Sequence, residues 1–115
     1  MLESLRVRSH ICIRLRCGPL RSWIDPFVDA LEQRGYTSGV RRRYVHAADA
    51  FSTWLIRHRI AVGAINESVV ARFASSRTRW HRPSQPNGRL NELVTGVRLL
   101  AEFLWDQGVA VHHSR

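Results

Sequence analysis

Arg41, Arg42 and Arg43 stand in a row just beyond Thr37-Ser38, and these residue types at this spacing suit anion binding. Thr37 or Ser38 can cap a helix by accepting a backbone N–H bond at its N-terminus. The start of a helix carries partial positive charge, so three cations there cost stability, a few tenths of a kcal/mol each. An anion at the same place would meet both free N–H groups and guanidinium forks. The competing reading is a solvated basic turn. A second basic set is Arg77, Arg79, Arg82 and Arg89, in a stretch that also holds His81 and Trp80 and contains no acid. Such a set suits phosphate contact, and Trp80 within it suits stacking or a partner contact.

The elements that must position these groups follow from periodicity. Val40, Tyr44, Ala47, Ala48, Phe51 and Leu55 recur at three- and four-residue steps, the period of an amphipathic helix. Trp54 widens that stripe and His58 extends it. Neither Pro nor Gly interrupts from Val40 to Arg59, so a long helix is expected. At about 100° per residue, Arg42 points opposite the stripe, with Arg41 and Arg43 flanking it.

Three further helices are expected. One runs from about Leu20 to Arg34 on the stripe Ile24, Phe27, Val28 and Leu31, with Pro26 near its first turn and Gly35 closing it. Another runs from Glu67 to Ser76 behind an Asn66 cap, with Val69, Val70 and Phe73 inward. The last runs from Leu90 to Gln107 on Leu90, Leu93, Val94, Val97, Leu100, Ala101 and Leu104, and ends at Gly108. Residues 77–89, with Pro83, Pro86 and Gly88, read as a loop. Residues 1–19 read as a basic extension, in which Ile11, Ile13 and Leu15 alternate with polar residues at a strand-like period of two. Residues 20–108 form the helical domain and 109–115 the start of a linker or tail. The fold class is therefore all-α, a four- or five-helix bundle.

Composition bounds the partners. One domain is expected from 115 residues, and an apolar fraction of 44% argues against wholesale disorder. Eighteen basic residues against nine acids give a net charge of +9, which makes a nucleic acid or another polyanion the leading partner class. All eighteen are Arg, a usage that a GC-rich coding sequence would also produce. Cys12 and Cys17 have no second cysteine pair, so no metal site, and no cofactor, is expected. The absence of a long apolar run or export signal implies a cytoplasmic protein with no membrane contact. No small-molecule substrate is expected.

The run Trp23-Ile24, Leu31, Arg34-Gly35-Tyr36, Arg41, Tyr44, Phe51, Trp54-Leu55, Phe73 and Gly108 resembles the N-terminal core-binding domain of the tyrosine recombinase, or phage integrase, family. The helix ending Leu31-Glu32-Gln33-Arg34-Gly35-Tyr36 and the final Val97-Arg98-Leu99-Leu100-Ala101-Glu102-Phe103-Leu104 carry the likeness further, over roughly residues 20–109. The resemblance implies a SAM-like orthogonal bundle that grips double-stranded DNA with its second and fourth helices. It implies DNA contact at Thr37, Ser38, Arg41, Arg42 and Arg43, and at Asn87, Arg89, Asn91 and Arg98, to which the charge of the loop adds Arg79 and Arg82. Other recombinase subunits are implied as further partners. The family's catalytic domain has no counterpart here, and His112-His113-Ser114-Arg115 matches its HxxR pattern only superficially, so strand cleavage by this chain is not expected. The alternative is a small basic helical module that binds an acidic protein or a full-length recombinase.

Overall fold

The computed structural model describes residues 9–79 and 87–110, and side chains within 9–76 and 93–110. These residues form five helices and no strand: α1 (Ser9–Cys17), α2 (Ile24–Gln33), α3 (Ser38–Arg57), α4 (Glu67–Arg79) and α5 (Asn87–Asp106). A single 3-10 turn, Val62–Ala64, lies between α3 and α4.

The strand-like alternation at the N-terminus gives way to a helix. Ile11, Cys12 and Leu15 are buried at helical spacing, while Ile13, the middle member of the alternation, is 64% exposed. A strand needs a partner to satisfy its backbone, and none is present among the described residues; a helix satisfies its own. The core cluster accordingly reaches back to Ile11, so Ser9–Cys17 packs with the bundle, not outside it. At the other end Val109 is half-buried and Ala110 buried, so the packed unit extends past Gly108. The loop expected over 77–89 is also shorter. Arg79 ends α4 and Asn87 starts α5, which places Arg77, Arg79, Asn87 and Arg89 in helices. Trp80, His81 and Arg82 lie outside the described residues.

α3 is the central element, packed against α1, α2 and α5. Its buried set is Val45, Ala47, Ala48, Asp49, Phe51, Ser52, Trp54 and Leu55. The expected stripe is thus rotated toward Val45 and Ser52: Val40 and Tyr44 are only half-buried and His58 is exposed. The cause is α1, which covers a flank of α3 that the sequence pattern left to solvent. Ile24, Phe27, Val28 and Leu31 on α2, Val69, Val70 and Phe73 on α4, and Val97, Leu100, Ala101 and Leu104 on α5 are buried as the sequence implies, while Leu93 and Val94 of the α5 stripe are half-buried and the Leu90 side chain lies outside the described residues. Asn66 caps α4, its Oδ1 accepting from the Val69 N–H at 3.0 Å. Trp105 Nε1 donates to the Ile65 carbonyl at 2.8 Å and ties the end of α5 to the connector before α4.

Three helices end alike. At each end one N–H reaches back across the last turn and the next residue's N–H reaches one residue further, the paired bonds of a Schellman cap. At α2 these are Gly35 to Glu32 at 3.0 Å and Tyr36 to Leu31 at 3.2 Å. At α5 they are Gly108 to Trp105 and Val109 to Leu104. At α3 they are Arg59 to Ile56 and Ile60 to Leu55, which puts Arg59 at φ +56°. A Cβ in that left-handed region is crowded, so the residue there stores strain. Arg59→Gly is expected to raise stability by about 0.5–1 kcal/mol, after the greater freedom of Gly in the unfolded chain is subtracted. A thermal melt checks this: the midpoint should rise by a few degrees. A lowered midpoint would mean that the Arg59 side chain makes a contact worth more than the strain.

Candidate nucleic-acid interface

The start of α3 forms as its residue types require. Thr37 has extended backbone angles, φ −68° and ψ 161°, and its Oγ1 accepts from the Val40 N–H at 3.3 Å. Thr37, Ser38, Arg42 and Arg43 are all exposed there. Arg41 is different. Its side chain is only 15% exposed and lies 3.3 Å from Glu32 at the end of α2. Its Nε is buried with no hydrogen-bond partner among the described residues. Arg41 therefore turns inward along the α2–α3 junction, and little of its fork remains for an outside phosphate.

Arg98 is engaged as well. Its Nη1 and Nη2 donate to the two oxygens of Glu67 at 3.2 and 2.8 Å, and its Nε lies 3.6 Å from Glu102. The hydrogen bonds to Glu67, then the charge of Glu67, hold this guanidinium above its ordinary pKa. Two carboxylates around one cation leave a net negative neighbourhood, which is poor for DNA contact. Arg98 instead clamps the first turn of α4 to α5. The side chains of Arg79, Asn87, Arg89 and Asn91 lie outside the described residues, as does Arg82, so the structure brings together only the α3 members of the expected contact set.

What it adds is the rest of the open face of α3. Arg42, His46, Ala50, Thr53 and Arg57 fall within about 80° of one another around the helix axis. All except half-buried Ala50 are exposed, and exposed Arg43 flanks them. From Arg42 to Arg57 this face runs about 22 Å. Asp49, the one acid of α3, is 8% exposed and covered from α1. Arg14 donates to it through Nε at 2.8 Å and Nη2 at 2.6 Å, a two-pronged clasp. Those hydrogen bonds, then the carboxylate charge, hold Arg14 above its ordinary pKa. Among the described residues, the face therefore presents cations at both ends and small or neutral groups between them, its own carboxylate covered, while exposed Glu32 of α2 is paired with Arg41 beside it.

Taken singly, Thr53 and Arg57 carry no functional signal in the sequence, and His46 reads there only as a helix-surface or stripe-edge residue. The signal lies in their shared spacing opposite the stripe. Whether that side would be open depended on where α1 settled.

No family model, curated protein or solved structure matches the chain.

Any functional reading therefore rests on the chemistry of this face. Among the described residues no three His, Cys, Asp or Glu side chains converge as a metal site would require, and His112 and His113 lie outside them. No helix among them is long and apolar enough to cross a membrane.

Proposed function

We propose that the chain is a helical DNA-binding module that seats duplex DNA against the open face of α3. The observation that carries this reading is the exposed run of Arg42, His46, Thr53 and Arg57 along one side of α3, whose own acid, Asp49, is covered by Arg14. Phosphates would meet the arginines at the two ends of the helix and fix its position. The shorter residues between them would face the groove floor, where a helix can enter. The resemblance of the sequence to integrase core-binding domains extends the proposal. The bundle would take the SAM-like arrangement and serve site-specific recombination alongside other recombinase subunits. The chain would not cut DNA itself: Tyr36 and Tyr44 are half-buried, packed edge to face at 5.7 Å, and no lysine accompanies them.

One observation favours the second reading, an acidic protein partner. Ile56 is 55% exposed on the flank of the same face, and an apolar side chain suits a protein surface better than a phosphate.

Salt titration separates the two. Duplex affinity should fall with log salt at a slope of about −2, from phosphate contacts by Arg42 and Arg57. No binding at low salt, or a slope near zero, would sink the duplex reading.

A further inference from the structure

Beside the C-terminal end of the α3 face lies a groove of about 560 Å³ between α3 and α4. Trp54 forms its floor, and His58, Ser68, Ala71, Arg72 and Ser75 line its sides. Its size falls in the range of pockets that hold small organic ligands, about 300–1,000 Å³. Small residues on α4 leave it unfilled, and among the described residues no carboxylate lines it.

The floor is rigid. Trp54 stacks on Phe51 at 6.0 Å with an interplanar angle of 13°, and Phe73 meets it edge-on at 5.6 Å. Because Trp54 is only 8% exposed, a ligand would meet little of the indole directly. It would meet what covers the indole. The Arg72 guanidinium sits 5.8 Å from the Trp54 ring centre, and the His58 ring lies 4.6 Å from it. Both covering residues are exposed. A guanidinium held over an indole is a flat, positively charged platform, and such platforms stack on unpaired bases. The hydroxyls of Ser68 and Ser75 add donors at the rim.

We propose that this groove accepts an unpaired nucleotide of single-stranded DNA, its base stacked on the Arg72 guanidinium beside His58 and its phosphate toward the Ser68 and Ser75 hydroxyls at the rim. The inference rests on the duplex reading to the extent that Arg57 and His58 are chain neighbours. A duplex seated along α3 would direct a frayed or tailed strand toward the groove. The chain would then favour duplex–single-strand junctions over blunt duplex. Base stacking, unlike phosphate contact, needs the base itself.

The test uses three hairpins with the same paired stem: blunt, with a tail of four thymidines, and with a tail of four abasic nucleotides. The two tails carry equal charge. The wild-type chain should bind the thymidine tail about tenfold tighter than the abasic tail. Arg72→Ala/His58→Ala should reduce that ratio to about one. Circular dichroism establishes that the variant is folded. Equal affinity of the wild type for the two tails overturns the proposal, as does a preference that survives in the double variant. Displacement of the tail by a polyglutamate peptide at lower concentration than free oligothymidine also overturns it, in favour of an acidic protein ligand. If blunt duplex is not bound but free oligothymidine binds in an Arg72-dependent way, the groove proposal stands and the duplex reading falls.

Discussion

Reversing charge at both ends of the α3 face, in Arg42→Glu/Arg57→Glu, is expected to weaken duplex binding about a hundredfold at low salt, from roughly 1.5 kcal/mol for each reversed charge. The slope of log affinity against log salt should fall by about two, because two phosphate contacts are removed. Both side chains are exposed, so the fold should be unaffected beyond about 0.5 kcal/mol. The informative comparison is with Arg41→Ala and Arg98→Ala, which alter residues the sequence also nominated. Arg41 lies along the α2–α3 junction against Glu32, and Arg98 is clasped by Glu67. Their loss should change DNA affinity by less than about threefold and should show in the thermal melt instead. The measurement is a fluorescence anisotropy titration of a labelled duplex, with all four proteins at two salt concentrations. If Arg98→Ala weakens binding as much as the double reversal, the α3 face is not the footprint, and the contact lies nearer α5.

Gly96→Leu is expected to be the most damaging single substitution for folding, at about 3 kcal/mol. Gly96 lies where α5 crosses α3. A Cβ added there would stand 2.9 Å from the Ala47 Cβ and 3.0 Å from Tyr44 Cδ1, with the Tyr44 Cα at 3.4 Å. The Ala47 Cβ and the Tyr44 backbone cannot rotate away, so the two helix axes would have to separate. That would loosen the packing around Val97, Leu100 and Ala101, all fully buried. Interiors are packed closely enough that such a shift is felt across the interface. In a domain whose whole stability is on the order of 5–15 kcal/mol, the melting midpoint should drop by roughly 10–20 °C. Gly96→Ala is the milder version, in which better helix propensity of about 1 kcal/mol partly offsets the crowding. Adding Ala47→Gly to Gly96→Leu should recover part of the loss by removing one of the two obstructing groups. A Gly96→Leu protein that melts with the wild type would show that the two helices do not approach this closely.

Gly96 also marks the boundary of what a sequence pattern can say. Read along the chain, it is a weak spot in an otherwise good helix. Only the crossing partner turns it into a requirement, since the need for a missing side chain belongs to Ala47 and Tyr44 and not to α5. Arg41 and Arg98 differ from Arg42 for the same reason. The arginines at 41, 42 and 98 look alike as residue types. Their availability depends on whether an acid from another helix, such as Glu32 or Glu67, comes within reach. At the N-terminus the two-residue alternation of Ile11, Ile13 and Leu15 was ambiguous, because residues 11 and 15 also share a helix face. Only packing on α3 sorted buried Ile11 from exposed Ile13.

The sequence by itself determined the all-helical class, the stripes of α2 and α4 and the later part of that of α5, a cap at Thr37 or Ser38, the Asn66 cap and the glycine ends at Gly35 and Gly108. These depend on helical period and on hydrogen bonds within a few residues, and such interactions are written in neighbouring positions. The tertiary structure decided that α1 joins the core, that α3 buries Asp49 and Ser52, and which arginines stay open to a partner. Those outcomes depend on groups brought together from distant parts of the chain, as Arg14 and Asp49 are, and local spacing carries no record of that encounter.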